Sequence, residues 1–384
     1  MRRNHSALRV ASRLGALVAL VGGLVGCSIF GGDSAAPKPA DLGTNVPVLG
    51  VRQAWISKIG AVQGMPLVAH VQGAIVTLAS ADGVVAALDA RTGGDLWRAS
   101  LGEPLIVGVG GDGRWTAVVS RSNEVIVLEA GRELWRQRLP SQVYTAPLVA
   151  GARVFVLGAD RSIAAFDAKT GHRLWSQSRP GEPLVLRHPG VLTAVGDTLV
   201  AGLSGRLIGM NPDNGIVRWE APLASPRGTN DVERLVELVA PFSRVGSMVC
   251  ARAFQVAVGC VDASQGAVMW VQKAGGSQGV HGNEEAIFGT EGNGTVVAWR
   301  RSDGVRLWSI DRLQYRKLTA PLVLGRSVVI GDDVGLVHLL SREDGAPLNR
   351  LQTDGSGIAA PPVVAADTLV VVTRNGNVYG YRPD

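Results

Sequence analysis

Few residues in this 384-residue chain have the type and spacing to do chemistry, and most give way to a plainer reading. Gly108-Val109-Gly110-Gly111-Asp112-Gly113 fits the G-x-G-x-x-G spacing that cradles a pyrophosphate where a strand turns into a helix. Here it leads into the alternating run Arg114 to Val119, which predicts a strand, so the glycines read as a hairpin or loop. The histidines (His5, His70, His172, His188, His281, His338) are scattered. His281 with Glu284 and Glu285 is the nearest approach to a metal grouping, and its loop setting reads as solvated charge. Asp89 and Asp167 recur at one repeat position, as turn-capping residues do. No catalytic residue, metal ligand or cofactor site follows from these patterns.

Three cysteines, Cys27, Cys250 and Cys260, are too few and too scattered for a zinc cluster. Cys250 and Cys260 flank a predicted hairpin, with Met248 to Ala251 on one strand and Val256 to Val261 on the next. Opposed strand residues can reach disulfide separation, but the turn leaves the register open, so a bridge and two buried thiols are both compatible with the sequence. Cys27 has a different setting. Arg2, Arg3, Arg9 and Arg13 precede an apolar stretch, LGALVALVGGLV from Leu14 to Val25, that is too short to span a bilayer comfortably. The residues Leu24-Val25-Gly26-Cys27 then resemble a bacterial lipobox, in which the Cys is lipidated and becomes the new N-terminus. That resemblance implies a signal peptide over residues 1–26 and a lipid anchor on Cys27. Ser28, where an Asp would favour retention at the inner membrane, implies the outer membrane. Residues 27–50 are small and rich in Pro and Gly and read as a flexible tether.

Elements must position whatever remains. With 50 Gly and 19 Pro the chain favours many short segments, while 46% apolar and 18% charged residues supply a core and exclude a disordered or fibrous protein. The net charge of +6 owes four arginines to the leader; 34 basic against 32 acidic side chains remain, with no basic block to track phosphates. No nucleic-acid partner is expected. A repeat sets the architecture. Gly followed four residues later by Trp recurs at Gly93/Trp97, Gly131/Trp135, Gly171/Trp175, Gly215/Trp219, Gly266/Trp270 and Gly304/Trp308, at intervals of 38, 40, 44, 51 and 38 residues. These are propeller-blade periods. Trp55 precedes the series, and a degenerate copy follows at Gly345/Asn349. The pattern predicts an all-β chain over residues 51–384: an eight-bladed β-propeller of four-stranded antiparallel blades, closed by pairing of the N- and C-terminal strands.

The motif Ala87 to Trp97, and its copy Ala165 to Trp175 with Ala-Phe-Asp-Ala-Lys-Thr-Gly-His-Arg-Leu-Trp, resembles the repeat of quinoprotein-type propellers over nearly the whole mature chain. Length, lipobox and eight repeats together resemble the BamB family, lipoproteins of the outer-membrane β-barrel assembly (BAM) complex. The dehydrogenases of the superfamily carry an acidic calcium site, a catalytic Asp and often adjacent paired cysteines, none of which stands out here. The BamB resemblance implies a non-catalytic periplasm-facing scaffold without cofactor. It would bind BamA through its POTRA domains, alongside other BAM subunits and unfolded outer-membrane protein clients. A degenerate quinoprotein dehydrogenase or ligand-binding propeller is the alternative. Pro183-Leu184-Val185-Leu186-Arg187 resembles the family's Leu-x-Leu-Arg motif for BamA binding, matched by Leu184, Leu186 and Arg187. Residue by residue, a core strand would alternate in the same way. The family's following pair of acids is represented by Glu237, with Val239 where the second would stand.

Overall fold

The computed structural model describes residues 37–384 except 63, 181–183, 227–228 and 231–233. The leader, Cys27 and the first part of the expected tether therefore lie outside the described residues. Residues 39–384 form one compact unit. Its strands make eight four-stranded antiparallel sheets arranged as the blades of a propeller. Blades 1 to 7 follow in chain order over residues 70–100, 105–138, 148–178, 192–222, 238–273, 280–310 and 322–352. Blade 8 combines the C-terminal strands Val363–Ala365, Thr368–Val372 and Asn377–Pro383 with the N-terminal strand Val51–Lys58. Val51 pairs with Pro383 and Lys58 with Asn377, so the chain ends close the ring as the repeat predicts.

The alternation of the sequence is realised as burial. Middle strands such as Thr368–Val372 and Trp115–Ser120 are buried throughout because they pack against neighbouring blades on both faces. Outer strands such as Asp95–Ser100 alternate exposed and half-buried residues.

The Gly and Trp of the repeat serve adjacent blades. Trp135, on the outer strand of blade 2, donates its indole N–H to Ala168 O of blade 3 at 2.9 Å. Its ring lies over Gly171, at φ +72°, where a Cβ would approach Trp135 to 2.6 Å. Glycine is required there twice, for the turn and for the seat. Trp55, Trp175, Trp270 and Trp308 make the same indole bond to the next blade, at 2.8, 2.9, 2.6 and 3.0 Å.

Blade 7 departs from this rule. Asn349 replaces the Trp, and its amide donates to Leu49 O at 2.7 Å. Within the stretch 27–50 read as a flexible tether, residues 42–49 run along the outer edge of blade 7 and Ala40 bonds the connection before it, so this part is docked; residues 27–36 lie outside the described residues. Ala40 N donates to Gln314 O at 2.9 Å, Arg350 donates to the carbonyls of Leu42 and Gly43, and Val48 N donates to Leu348 O at 2.8 Å. Leu307, the outer-strand leucine of blade 6, is 45% exposed, whereas the equivalent Leu348 beneath this segment is 9% exposed. A segment held through carbonyls and long-range side chains needs no periodicity of its own.

Candidate functional site

Each blade is an up-and-down meander, so the turn between its two middle strands shares a face with the connection leaving for the next blade. The last residue of that turn has a recurring task. In blade 1 it is Gly83, at φ +101°, where a Cβ would strike the backbone of Glu103 in the connection to blade 2. Gly294 and Gly376 are seated in the same way against Leu313 and Gly60. In blade 2 Asn123 takes the position at φ +64° and donates its amide to Leu139 O and Ser141 O at 3.0 and 2.6 Å. In blade 3 it is Arg161, at φ +61°.

Arg161 organises the two longest connections of the ring, residues 179–191 and 223–237. Its guanidinium donates to Leu184 O at 3.1 Å and to Ser204 Oγ at 3.0 Å, and pairs with Glu237 Oε1 at 3.3 Å. The side chains of Arg161 and Glu237 are 8% and 15% exposed. Burial pushes the Glu237 carboxyl above its usual range, and Arg161 draws it part of the way back. A small cavity of about 50 Å³ beside the pair is bordered by Tyr144, Leu186 and His188. Burial lowers the His188 imidazole, so this wall is neutral at pH 7.

The structure brings the residues singled out in sequence together at this face. Leu184 is 40% exposed, Leu186 is half-buried, and the exposed Arg187 guanidinium lies 6.0 Å over the Tyr144 ring. Residues 184–187 are not a core strand; the inner strand of blade 4 begins at Leu192. The loop returns through Gly190, whose N–H donates to Thr145 Oγ1 at 2.9 Å and which bridges to Val239. Val239 is buried in the inner strand of blade 5, so the carboxylate here is Glu237's. The arrangement offers an exposed aliphatic residue, a cation on an aromatic and a buried carboxylate, which suits recognition of a protein surface.

Arg161 was not singled out from the sequence. The signal was available: the turn position filled by Gly83, Gly205, Gly294, Gly335 and Gly376 in five other blades carries an arginine in this one.

The remaining sequence patterns are structural. Cys250 and Cys260 are directly opposed on Met248–Ala253 and Ala257–Asp262 and are joined by a disulfide buried in blade 5. His281 accepts the Val323 N–H at 3.1 Å and is driven down to about 4 by burial and by Arg301. Asp89 and Asp167 accept backbone N–H bonds two residues on, from Arg91 at 2.8 Å and Lys169 at 3.1 Å. Gly108 and Gly110 lie in the inner strand of blade 2, Leu105–Gly111, and Gly110 admits the Pro147 carbonyl of blade 3. Gly275-Gly276-Ser277-Gln278-Gly279 has the spacing of a nucleophile elbow, but it joins the outer strand of blade 5 to the inner strand of blade 6 without a helix.

Residues 81–310 match the family model described as outer membrane protein assembly factor BamB. The chain is 38% identical to outer membrane protein assembly factor BamB of Burkholderia pseudomallei (strain K96243), covering 90% of this chain and 91% of the relative. It is 35% identical to the protein of the same name from Bordetella pertussis, covering 94% of each chain. Among solved structures, BamB from Moraxella catarrhalis superposes with a TM-score of 0.78 at 22% identity, covering 86% of this chain and 99% of that one. Quinohemoprotein alcohol dehydrogenase from Comamonas testosteroni shares the fold with a TM-score of 0.66 at 15% identity, covering 87% of this chain and 76% of that one.

Proposed function

The chain belongs to the family of the outer membrane protein assembly factor BamB, and we propose that it is a non-catalytic scaffold subunit that grips BamA through the Leu184 and Glu237 connections. It serves outer-membrane protein assembly as part of the BAM complex. The observation that carries the proposed contact is Arg161 bonding Leu184 O and Glu237 together, because it presents the apolar and acidic elements as one surface. The partner is BamA through its periplasmic POTRA domains. An exposed Leu184 and a stacked Arg187 form the anchors, while the half-buried Leu186 and Glu237 support them. Recognition and positioning of client proteins, with no bond chemistry, is the mechanism.

The body is held at the outer membrane, facing the periplasm, by lipid on Cys27. Residues 1–26 are removed, and the described chain is already docked from Ala40, first on the connection before blade 7 and then on blade 7 itself. The oxidising periplasm suits the Cys250–Cys260 bond.

Capture from detergent-solubilised envelopes, paired with quinone absorbance of the purified protein, tests the reading. BamA recovered without quinone supports it; stoichiometric quinone with dye reduction and no BamA overturns it. Intact mass showing acyl groups on a chain that starts at Cys27, and release of Cys27→Ala into the periplasm, test the anchor.

A further inference from the structure

We propose that Arg161 is a positioning residue for the partner face, fixing the Leu184 and Glu237 connections relative to one another so that they bind as a unit. The proposal deepens the BamA reading above and rests on it for its partner. The turn itself has no need of an arginine. Gly83, Gly205, Gly294, Gly335 and Gly376 fill this position in blades 1, 4, 6, 7 and 8 and let the outgoing backbone lie directly against the turn. Arg161 adopts the same left-handed conformation, which a side chain disfavours and glycine accepts freely. What the arginine adds is reach. Asn123 at this position holds only the connection leaving its own blade. Arg161 holds that connection at Leu184 O, the next blade's turn at Ser204 Oγ and the following connection at Glu237. A planar guanidinium with several fixed donors can satisfy such partners at once, which an ammonium cannot do in the same geometry.

The pair also sets the charge of the face. Burial raises the Glu237 carboxyl and Arg161 opposes that rise, so loss of Arg161 moves Glu237 protonation to higher pH. Among the described residues, the other titratable groups lining the cavity beside Glu237 are Arg161 of the blade 3 turn, His188 of the Leu184 connection and Tyr144. Glu237→Gln isolates the Glu237 contribution from that of His188.

The experiment uses the purified mature chain, with hydrogen exchange read at residues 184–190 and 234–239 and capture of the BamA periplasmic region read across pH 4 to 8. In Arg161→Gly, which installs the residue five other blades use, exchange at both connections is expected to rise at least about tenfold and capture at pH 7 to fall at least about tenfold. The variant is expected to stay folded, with a melting midpoint below the parent's because Glu237 loses its buried partner. The acid-side midpoint of capture moves up in Arg161→Gly and not in Arg161→Lys, and Glu237→Gln removes that step from both backgrounds. Unchanged exchange in folded Arg161→Gly would overturn the positioning role, whatever the partner does. Absence of capture by the parent chain would instead overturn the BamA reading, and an acid step that survives Glu237→Gln would overturn the link to Glu237.

Discussion

The connection from blade 1 to blade 2 occupies residues 101–104, and the one from blade 3 to blade 4 occupies residues 179–191. They hold the same place in the topology but are secured differently. Leu101 N donates to Gly83 O at 2.9 Å and the short connection lies on the glycine backbone. In the long connection it is the side chain of Arg161 that reaches the backbone, at Leu184 O. Where the backbone closes on itself, a residue is spent on architecture. A connection held at Leu184 by a side chain presents Leu184 and Arg187 outward. The boundary between blades 4 and 5, beside the longest connection, deviates too: Trp219 covers Gly266, yet its indole N–H is buried with no bonding partner among the described residues.

The largest effect belongs to the architectural side of the comparison. Trp135→Ala empties the joint between blades 2 and 3 and removes the bond to Ala168 O, and should destabilise the fold by about 3–5 kcal/mol in denaturant unfolding. If stability were little changed while BamA capture fell, the division between packing blades and binding connections would be wrong.

Next come the connections. Leu184→Arg, Leu186→Arg and Arg187→Ala should each weaken BamA capture by about 2 kcal/mol, roughly thirtyfold, by surface titration. Leu184 and Arg187 are exposed, so their variants should melt within about 0.5 kcal/mol of the parent. Unchanged capture by all three folded variants would move the interface elsewhere on the ring.

The propeller was legible because its central contact repeats: the Gly of one blade seats the Trp of the blade before, and the pair must recur wherever a full joint does. Even the site left a trace. The longest intervals between motif tryptophans, 44 and 51 residues, enclose the two long connections. The docking of residues 40–50 left none, since its partners, Asn349 and Arg350, are some three hundred residues away and bind mainly its carbonyls. Arg161 left only its place in the repeat, an arginine where other blades carry glycine; its partners lie on three separate segments, so no local spacing shows what it binds.

That docked segment gives an intermediate prediction. Asn349→Ala leaves Leu49 O without its buried donor where other blades use an indole, and should cost about 1 kcal/mol of stability. Hydrogen exchange should rise over residues 45–50 while BamA capture by the folded ring stays at the parent level. Loss of capture would mean that the strap on blade 7 and the connections of blades 3 to 5 are coupled around the ring, contrary to the local division drawn above.

The smallest effect concerns a residue that repeats in the turn seating a joint tryptophan, away from the partner face. Asp167 Oδ1 accepts the backbone N–H groups of Lys169 and Thr170 at 3.1 and 2.7 Å and the Thr170 hydroxyl at 2.8 Å. The Thr170 hydroxyl leads the donors that hold this carboxyl below the usual aspartate range. A carboxyl depressed on folding contributes stability above its unfolded pKa, and that contribution disappears as pH falls through the folded value. Asp167 is half-buried and its hydrogen bonds lie at the surface, so solvent screening keeps its contribution below about 1 kcal/mol. Asp167→Ala should therefore melt slightly below the parent at pH 7, and the pH-dependent part of that difference should fade in acid below the unfolded aspartate pKa of about 3.9. Capture of BamA should not change at pH 7, because the turn lies on the opposite face of the blade from Arg161. A drop in capture from this variant would show that both faces of blade 3 contribute to binding, and would undo the assignment of binding to the connections alone.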